Sequence, residues 1–222
     1  MAFAVEVVNE PFTASNQTLA AYLASAHASW VFIVATSGTD RLNIVSNQVD
    51  QVASGNTAIR VSETHDADHW VEVAAVAAST GAIINLFLRA SADTDGARDC
   101  VCVEIVENGA GTYAHGFVVQ NGSATGDVYS GALGTMAGHS FAADVEGRTV
   151  KVYVDRALVH TFTDLVPSGV LTTGNPAWGT SAFTGTLTVD SLKTGNVNSG
   201  GGGTFFNPLS GRGGAAAQPL AA

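Results

Sequence analysis

Between His139 and Asp164 apolar and polar residues alternate with a period of two, interrupted only by short polar pairs. Val150, Val152 and Val154 fall on one side of the stretch from Arg148 to Val154, and Thr149, Lys151 and Tyr153 on the other. Alternation of branched and aromatic residues marks a half-buried strand. Phe141, Ala143 and Val145 repeat the pattern before it, and Leu158, His160 and Phe162 after it. Glu146-Gly147 and Asp155-Arg156 supply turn residues between the three runs. The pattern predicts an antiparallel meander with one aliphatic face turned to a core.

Comparable runs recur along the chain. Val5, Val7 and Val8 offer a first strand, and Trp30 to Ala35 is a continuous apolar run that reads as a core strand. Leu42–Val45, Asn47–Val52 and Thr57–Val61 read as short strands, and His69–Ala77 and Ile83–Ala90 as longer ones. Cys100 to Val106 sets Cys100, Cys102, Glu104 and Val106 on one face and Val101, Val103 and Ile105 on the other. Asn108-Gly109 signals a hairpin into Tyr113–Gln120, which Asn121-Gly122 ends. Leu165 to Pro176 reads as a loop, and Trp178–Phe183 and Thr186–Leu192 as closing strands. Short strands with turn signals every eight to twelve residues or so argue for a sandwich, and no helix–strand alternation supports an α/β fold. Thr18 can cap a short helix carrying Leu19, Tyr22 and Leu23 on one stripe.

A family resemblance rests on these residues. The string TVKVYVDRALVHTFTD (149–164) resembles the penultimate hairpin of concanavalin A-like, laminin G-like jelly-roll domains. The opening EPFTASNQTL and the closing TGTLTVDSLKTG are similar to the first and last parts of such domains, so the likeness spans roughly residues 8–195. It implies an all-β, two-sheet antiparallel jelly-roll sandwich over 1–195, with a loop at 13–29 rather than a helix. Many such domains belong to phage structural proteins or accompany carbohydrate-active enzymes. Where the family has Asn-Gly or Asp-Gly at the hairpin turn, this chain has Asp155-Arg156. An arginine at positive φ is strained, which predicts a loop longer than two residues.

At Asn196 the texture changes. Residues 196–203 form a Gly-rich linker, and 204–222 an extended C-terminal arm. Phe205 and Phe206, with Asn207, Pro208, Leu209 and Arg212, are the arm's candidate assembly contacts, because apolar anchors on a flexible segment seat in a partner's pocket.

Charge narrows the partners. The 222 residues carry 19 acids and 9 bases, a net charge of −10, which disfavours nucleic acid. Only 13% of residues are charged and 46% are apolar, which points to a surface that meets a neighbour. No secretion signal and no apolar run near the roughly 18 residues of a membrane span are visible. Cys100 and Cys102 share a strand face, so they read as buried reduced thiols and not as a disulfide.

No stretch reads as a catalytic site. His65-Asp66-Ala67-Asp68-His69 packs four candidate metal ligands into five residues, but a solvated turn explains them without a metal. Asp93, Asp95 and Asp99 lack the spacing of a calcium loop. Jelly-roll glucanases carry alternating carboxylates in an E-x-D-x-x-E strand; here Glu104 and Glu107 point to opposite faces. Sugar stacking needs exposed aromatics, with Trp30, Trp70, Trp178, Tyr113 and Tyr129 as candidates. Trp178 stands out as the candidate ligand-binding residue, since Asn175-Pro176 and Gly179 place it near a loop.

Together these features lead to the expectation of a bacteriophage virion structural protein, a capsid decoration or tail component, anchored by its arm. It is expected to act without enzymatic activity, metal or cofactor, to be assembled in the host cytoplasm, and to meet other virion proteins, copies of itself and a host-surface glycan. The alternatives are a glycan-binding module for host adsorption and, less favoured, a polysaccharide hydrolase.

Overall fold

The computed structural model describes residues 5–35, 42–51, 57–91, 99–180 and 185–197. In chain order the elements are β1 (Val5–Glu10), β2 (Gln17–Thr18), α1 (Leu19–Ala26), β3 (Val31–Ala35), β4 (Leu42–Val45), β5 (Gln48–Gln51), β6 (Thr57–Arg60), β7 (His69–Ala78) and β8 (Ile83–Ala90). They continue as β9 (Cys100–Glu107), β10 (Thr112–Gln120), β11 (Ser123–Ala132), β12 (His139–Glu146), β13 (Thr149–Val154), β14 (Ala157–Phe162), β15 (Asn175–Thr180) and β16 (Leu187–Asn196). The strands form two antiparallel sheets. The larger has the order β14-β13-β12-β7-β16-β5-β4-β2, with β1 also on β16. The smaller has the order β11-β10-β9-β8-β15-β6-β3. This is the all-β sandwich that the strand pattern predicts and the jelly-roll that the resemblance implies. Among the described residues no helix is long and apolar enough to cross a membrane.

The core lies between the sheets. Phe141, Ala143, Val145, Val150 and Val152 of the meander are fully buried in it, and Val154 packs against it. From the smaller sheet Ile84, Leu86, Leu88, Val101, Val103 and Ile105 meet them. Each such Val, Leu, Ile or Phe side chain contributes about 1.5–3 kcal/mol on burial. The other face of the smaller sheet carries a second cluster, built on Ile33, Phe87, Cys100, Cys102 and Ala177. Both cysteines are free and buried there.

Residues 19–26 form a helix, so the capping pattern outweighs the loop implied by the resemblance. Thr18 Oγ1 accepts from the Ala21 amide (3.1 Å), and Leu19, Tyr22 and Leu23 are buried. Buried Glu10 fastens the helix to the sandwich by accepting from the Phe12 amide and from the Tyr22 hydroxyl (2.7 Å) and by facing His27 Nε2.

Three expectations need correction. The turn at Asp155-Arg156 is two residues long, not longer, and both residues adopt left-handed backbone (φ 48 and 64). Their side chains hold them there: Asp155 accepts from the Ser140 amide, and Arg156 pairs with Glu72. Leu158 does not share a face with Phe162. The β13–β14 register shifts between Val152 and Tyr153, so Phe162 enters the core and Leu158 is left 56% exposed. A β-bulge reverses the faces on either side of it, which simple alternation cannot register. No strand is read from the sequence between Asn121-Gly122 and His139, yet the chain stays in the sheet. It turns there through positive φ into β11, a ten-residue edge strand that is exposed along nearly its whole length. With no buried face, β11 has no apolar alternation to read.

Candidate functional site

Trp178, the residue singled out for ligand stacking, is fully buried. It lies in the core with its ring 5.9 Å from that of Phe12, so it offers no platform. The neighbouring Pro and Gly belong to β15 itself and not to an exposed loop. Trp70 is buried, and Trp30 stacks on His27 (4.1 Å) while its indole N–H donates to Glu63. Phe205, Phe206, Asn207, Pro208, Leu209 and Arg212 lie outside the described residues, as do Asp93 and Asp95.

Apart from the exposed Asp66 carboxylate, the 65–69 turn uses its polar groups internally. His69 is buried, faces the Asp66 carbonyl through Nδ1 (2.8 Å) and accepts from the Arg89 amide at Nε2 (2.9 Å). Desolvation pushes its pKa down to about 4. Asp68 pairs with Arg89 (2.9 Å) and accepts from the Gly147 amide. His65 lies between the Glu63 carbonyl and the Thr194 hydroxyl. Asp99 accepts from the Asn121 amide.

The aromatic candidates that do reach solvent are Tyr113 and Tyr129, at the free edge of the smaller sheet. Cross-strand register explains what surrounds them. Asn85 on β8 faces Glu104 on β9, Glu104 faces His115 on β10, and His115 faces Tyr129 on β11. These four therefore form one row across the side of the sheet turned away from the main core. Tyr129 is 55% exposed and its ring stacks on the His115 imidazole at 4.3 Å, nearly parallel at 6°. Tyr113 lies 5.9 Å from Tyr129, and Phe117 lies 4.9 Å from His115.

Two register shifts between β10 and β11 shape the row. One sets Gly126 and Asp127 opposite the single residue Phe117, and the other sets Ser130 and Gly131 opposite Ala114. Bulges re-aim side chains. Here Asp127 comes to face His115 Nε2, and the Ser130 hydroxyl accepts from the Ala114 amide (2.8 Å). Glu104 Oε2 lies 3.1 Å from His115 Nδ1. The imidazole thus stands between two carboxylates, and whichever nitrogen carries the proton has an acceptor. His115 lines a depression of about 320 Å³ with Glu104, Phe117 and Asp127; Tyr129 lines another of about 370 Å³ with Tyr113, Thr112 and Ser130.

Chemically the patch offers ring faces for stacking against apolar faces of a ligand, and carboxylates that accept from ligand hydroxyls. Sequence inspection named Tyr113, Tyr129 and Glu104 but not their meeting. His115 and Asp127 were missed, because their partners are set by strand pairing and bulges.

No protein-family model matches the sequence, and no curated protein matches it. Solved structures do share the fold. A carbohydrate-binding module, CBM66, from Bacillus subtilis superposes with a TM-score of 0.52 at 16% identity, over 73% of this chain and 91% of that one. A Bacillus licheniformis beta-glucanase gives 0.56 at 17% identity, over 86% and 98%. A prokaryotic beta-1,3-1,4-glucanase (lichenase) from a mouse hindgut metagenome gives 0.55 at 12% identity, over 86% and 99%. The fold is thus one found in a binding module and in glucanases alike.

This corrects the expectation of a protein without enzymatic activity. Its ground was the missing E-x-D-x-x-E string, yet the structural neighbours include glucanases as well as a binding module. On β9 the outward positions are Cys100, Cys102, Glu104 and Val106, with one carboxylate. The second carboxylate at the patch, Asp127, comes from a different strand, where a search within one strand cannot find it.

Proposed function

We propose that the chain binds a polysaccharide on the outer face of its smaller sheet, at the patch formed by Glu104, Tyr113, His115, Asp127 and Tyr129. The observation that carries this is the solvent-exposed Tyr129 ring stacked on an imidazole flanked by two carboxylates. Sharing a fold with a carbohydrate-binding module and with glucanases supports it. Gel retardation on a panel of soluble β-glucans, fructans and host-surface polysaccharides tests it. At least one polymer is expected to retard the chain, and Tyr129→Ala to abolish the retardation. Equal retardation of the parent and the variant would sink this placement.

A second reading is hydrolysis at the same patch, favoured by the pairing of Glu104 and Asp127 on either side of one imidazole. Release of reducing ends from the bound polymer, lost in Glu104→Gln, is its expected signature. Display on a virion is a separate proposal, carried by the sequence of 196–222 alone. Deleting 198–222, which spares the buried Val197, is expected to leave the sandwich folded and to abolish incorporation into particles.

A further inference from the structure

A cleft of about 570 Å³ lies at the end of the smaller sheet where β6 and β8 finish and β9 and β15 begin. Arg60, Ser91, Asp99, Thr172, Thr173 and Asn175 are among its lining residues. One wall is fixed by Arg89. That side chain is buried, and its guanidinium is held by the Ala67 carbonyl, the Leu171 carbonyl and Asp68. The Gly174 backbone lies against Arg89 so closely that a Cβ there would stand 2.4 Å from the Arg89 carbonyl.

Arg60 is placed differently. Its Nε donates to the Ala90 carbonyl (2.9 Å), and among the described residues no carboxylate pairs with it. It is half-buried, and desolvation lowers its pKa, with no acid among the described residues acting against it. A guanidinium withdrawn from water without a counter-charge is costly, and an incoming anion removes that cost. The two terminal nitrogens form a planar fork that matches a carboxylate. His65 adds no second cation to the cleft: both ring nitrogens have partners, and burial pushes its pKa down. With Arg89 paired to Asp68, the one cation left without an acid partner among the described residues, with Asp99 nearby, suits a singly charged carboxylate better than a doubly charged phosphate.

Register ties this cleft to the patch. Arg60 faces Ala177, Ala177 faces Phe87, Phe87 faces Cys102, and Cys102 faces Phe117. Arg60 is therefore in the row next to that of Glu104 and His115, on the same side of the sheet. Four strand spacings of about 4.8 Å separate β6 from β10, or roughly 19 Å.

We propose that this cleft is a subsite for a uronic acid residue, whose carboxylate is bridged by Arg60 while Ser91, Thr172 and Thr173 meet the sugar hydroxyls. The inference rests on the polysaccharide-binding function proposed above and narrows its ligand to an acidic polymer. The test is calorimetric titration of the full chain with oligogalacturonate and oligomannuronate, each also in its carboxyl-reduced form, and with sodium sulfate. The parent is expected to bind one of the acidic oligomers roughly tenfold or more tightly than its reduced form. Arg60→Gln, whose amide still donates to the Ala90 carbonyl, is expected to lose that preference while binding the reduced oligomer as before. Tyr129→Ala is expected to weaken both forms. Arg60→Lys, which keeps the charge without the fork, serves if the glutamine variant melts early, and is expected to retain only part of the preference. An unchanged preference in the Arg60 variants would overturn the assignment, and so would sulfate that competes as well as the oligomer. Equal binding of acidic and reduced forms sinks the carboxylate subsite alone, whereas no binding of any form sinks the polysaccharide proposal with it.

Discussion

Arg156 reaches from the β13–β14 turn across β12 to grip Glu72 on β7, with Nη2 2.9 Å and Nε 3.1 Å from Oε2. Glu72 is nearly buried, so the ion pair is sheltered on one side. Asp155 completes the lock, since Oδ1 accepts from the Ser140 amide and Oδ2 faces His139 Nδ1. These contacts hold the Asp155 carboxyl below the usual carboxylate range. A left-handed non-glycine residue costs about 1–2 kcal/mol, and here side-chain contacts on both turn residues offset that cost.

Arg156→Ala keeps the backbone strain and removes the pair. It should destabilise the chain by about 1–2 kcal/mol, discounted because the guanidinium is half-exposed. Arg156→Gly also removes the pair but relieves the backbone, so it should be the more stable of the two variants by about 1 kcal/mol. Urea unfolding of both variants measures the difference. Equal midpoints would show that the turn is not strained.

Tyr129 separates binding from stability. Its ring is mostly in water, so Tyr129→Ala should change the unfolding free energy by no more than about 0.5 kcal/mol. Its stacking surface should matter far more to a bound sugar, with an affinity loss of about 1 kcal/mol or more. Parallel melting and titration of one preparation give both numbers. A large loss of stability would make Tyr129 a structural residue and remove it from the site.

Gly179 tests the packing beneath the site face. It lies on β15 between Ala58 and Asn85, and a Cβ there would sit 2.2 Å from the Thr57 carbonyl and 2.8 Å from the Ala58 Cβ. Backbone on the neighbouring strand cannot yield cheaply. Gly179→Ala should cost about 2–3 kcal/mol or more, seen as a melting point lowered by roughly 5 °C or more. A variant that melts with the parent would mean that β6 and β15 separate at little cost.

Alternation made the larger sheet's meander legible, because Val150, Val152 and Phe141 answer to one buried face. Thr18 and the Leu19–Leu23 stripe also announced their helix. The site was less legible for a physical reason. It sits on an edge hairpin whose outer strand, SATGDVYSGA, buries almost nothing and so leaves no periodic trace. Its geometry depends on two bulges and on pairing between residues far apart in sequence, such as Asn85 with Glu104 and Glu104 with His115. Trp178 misled because proline and glycine beside an aromatic suggest a loop, whereas Gly179 is there to let two strands approach.

Two buried groups give stability opposing dependences on pH. Asp144 is buried on β12, and desolvation pushes its pKa from 3.8 up to about 7, against the Tyr153 hydroxyl and the Lys151 ammonium, which favour the charged form. Between about pH 4 and 7 the unfolded chain ionises this group while the folded chain keeps its proton. Folding then binds the extra proton, so this contribution weakens as pH rises. His69 runs the other way. Its pKa is depressed from 6.5 to about 4, so between those values the unfolded chain takes up a proton that the folded chain refuses, and stability falls as pH falls. Each tenfold change in proton affinity corresponds to about 1.4 kcal/mol, so either slope amounts to a few kcal/mol at most. From about pH 4 to 6.5 the two oppose, and the parent should show a shallow profile. Asp144→Asn removes one slope. Relative to the parent it should gain stability progressively from pH 4.5 to pH 8, leaving the rise due to His69 in view. Urea unfolding of both proteins at pH 4.5, 6 and 8 checks this. A stability difference that is the same at all three values would show that Asp144 is ionised in the folded chain throughout.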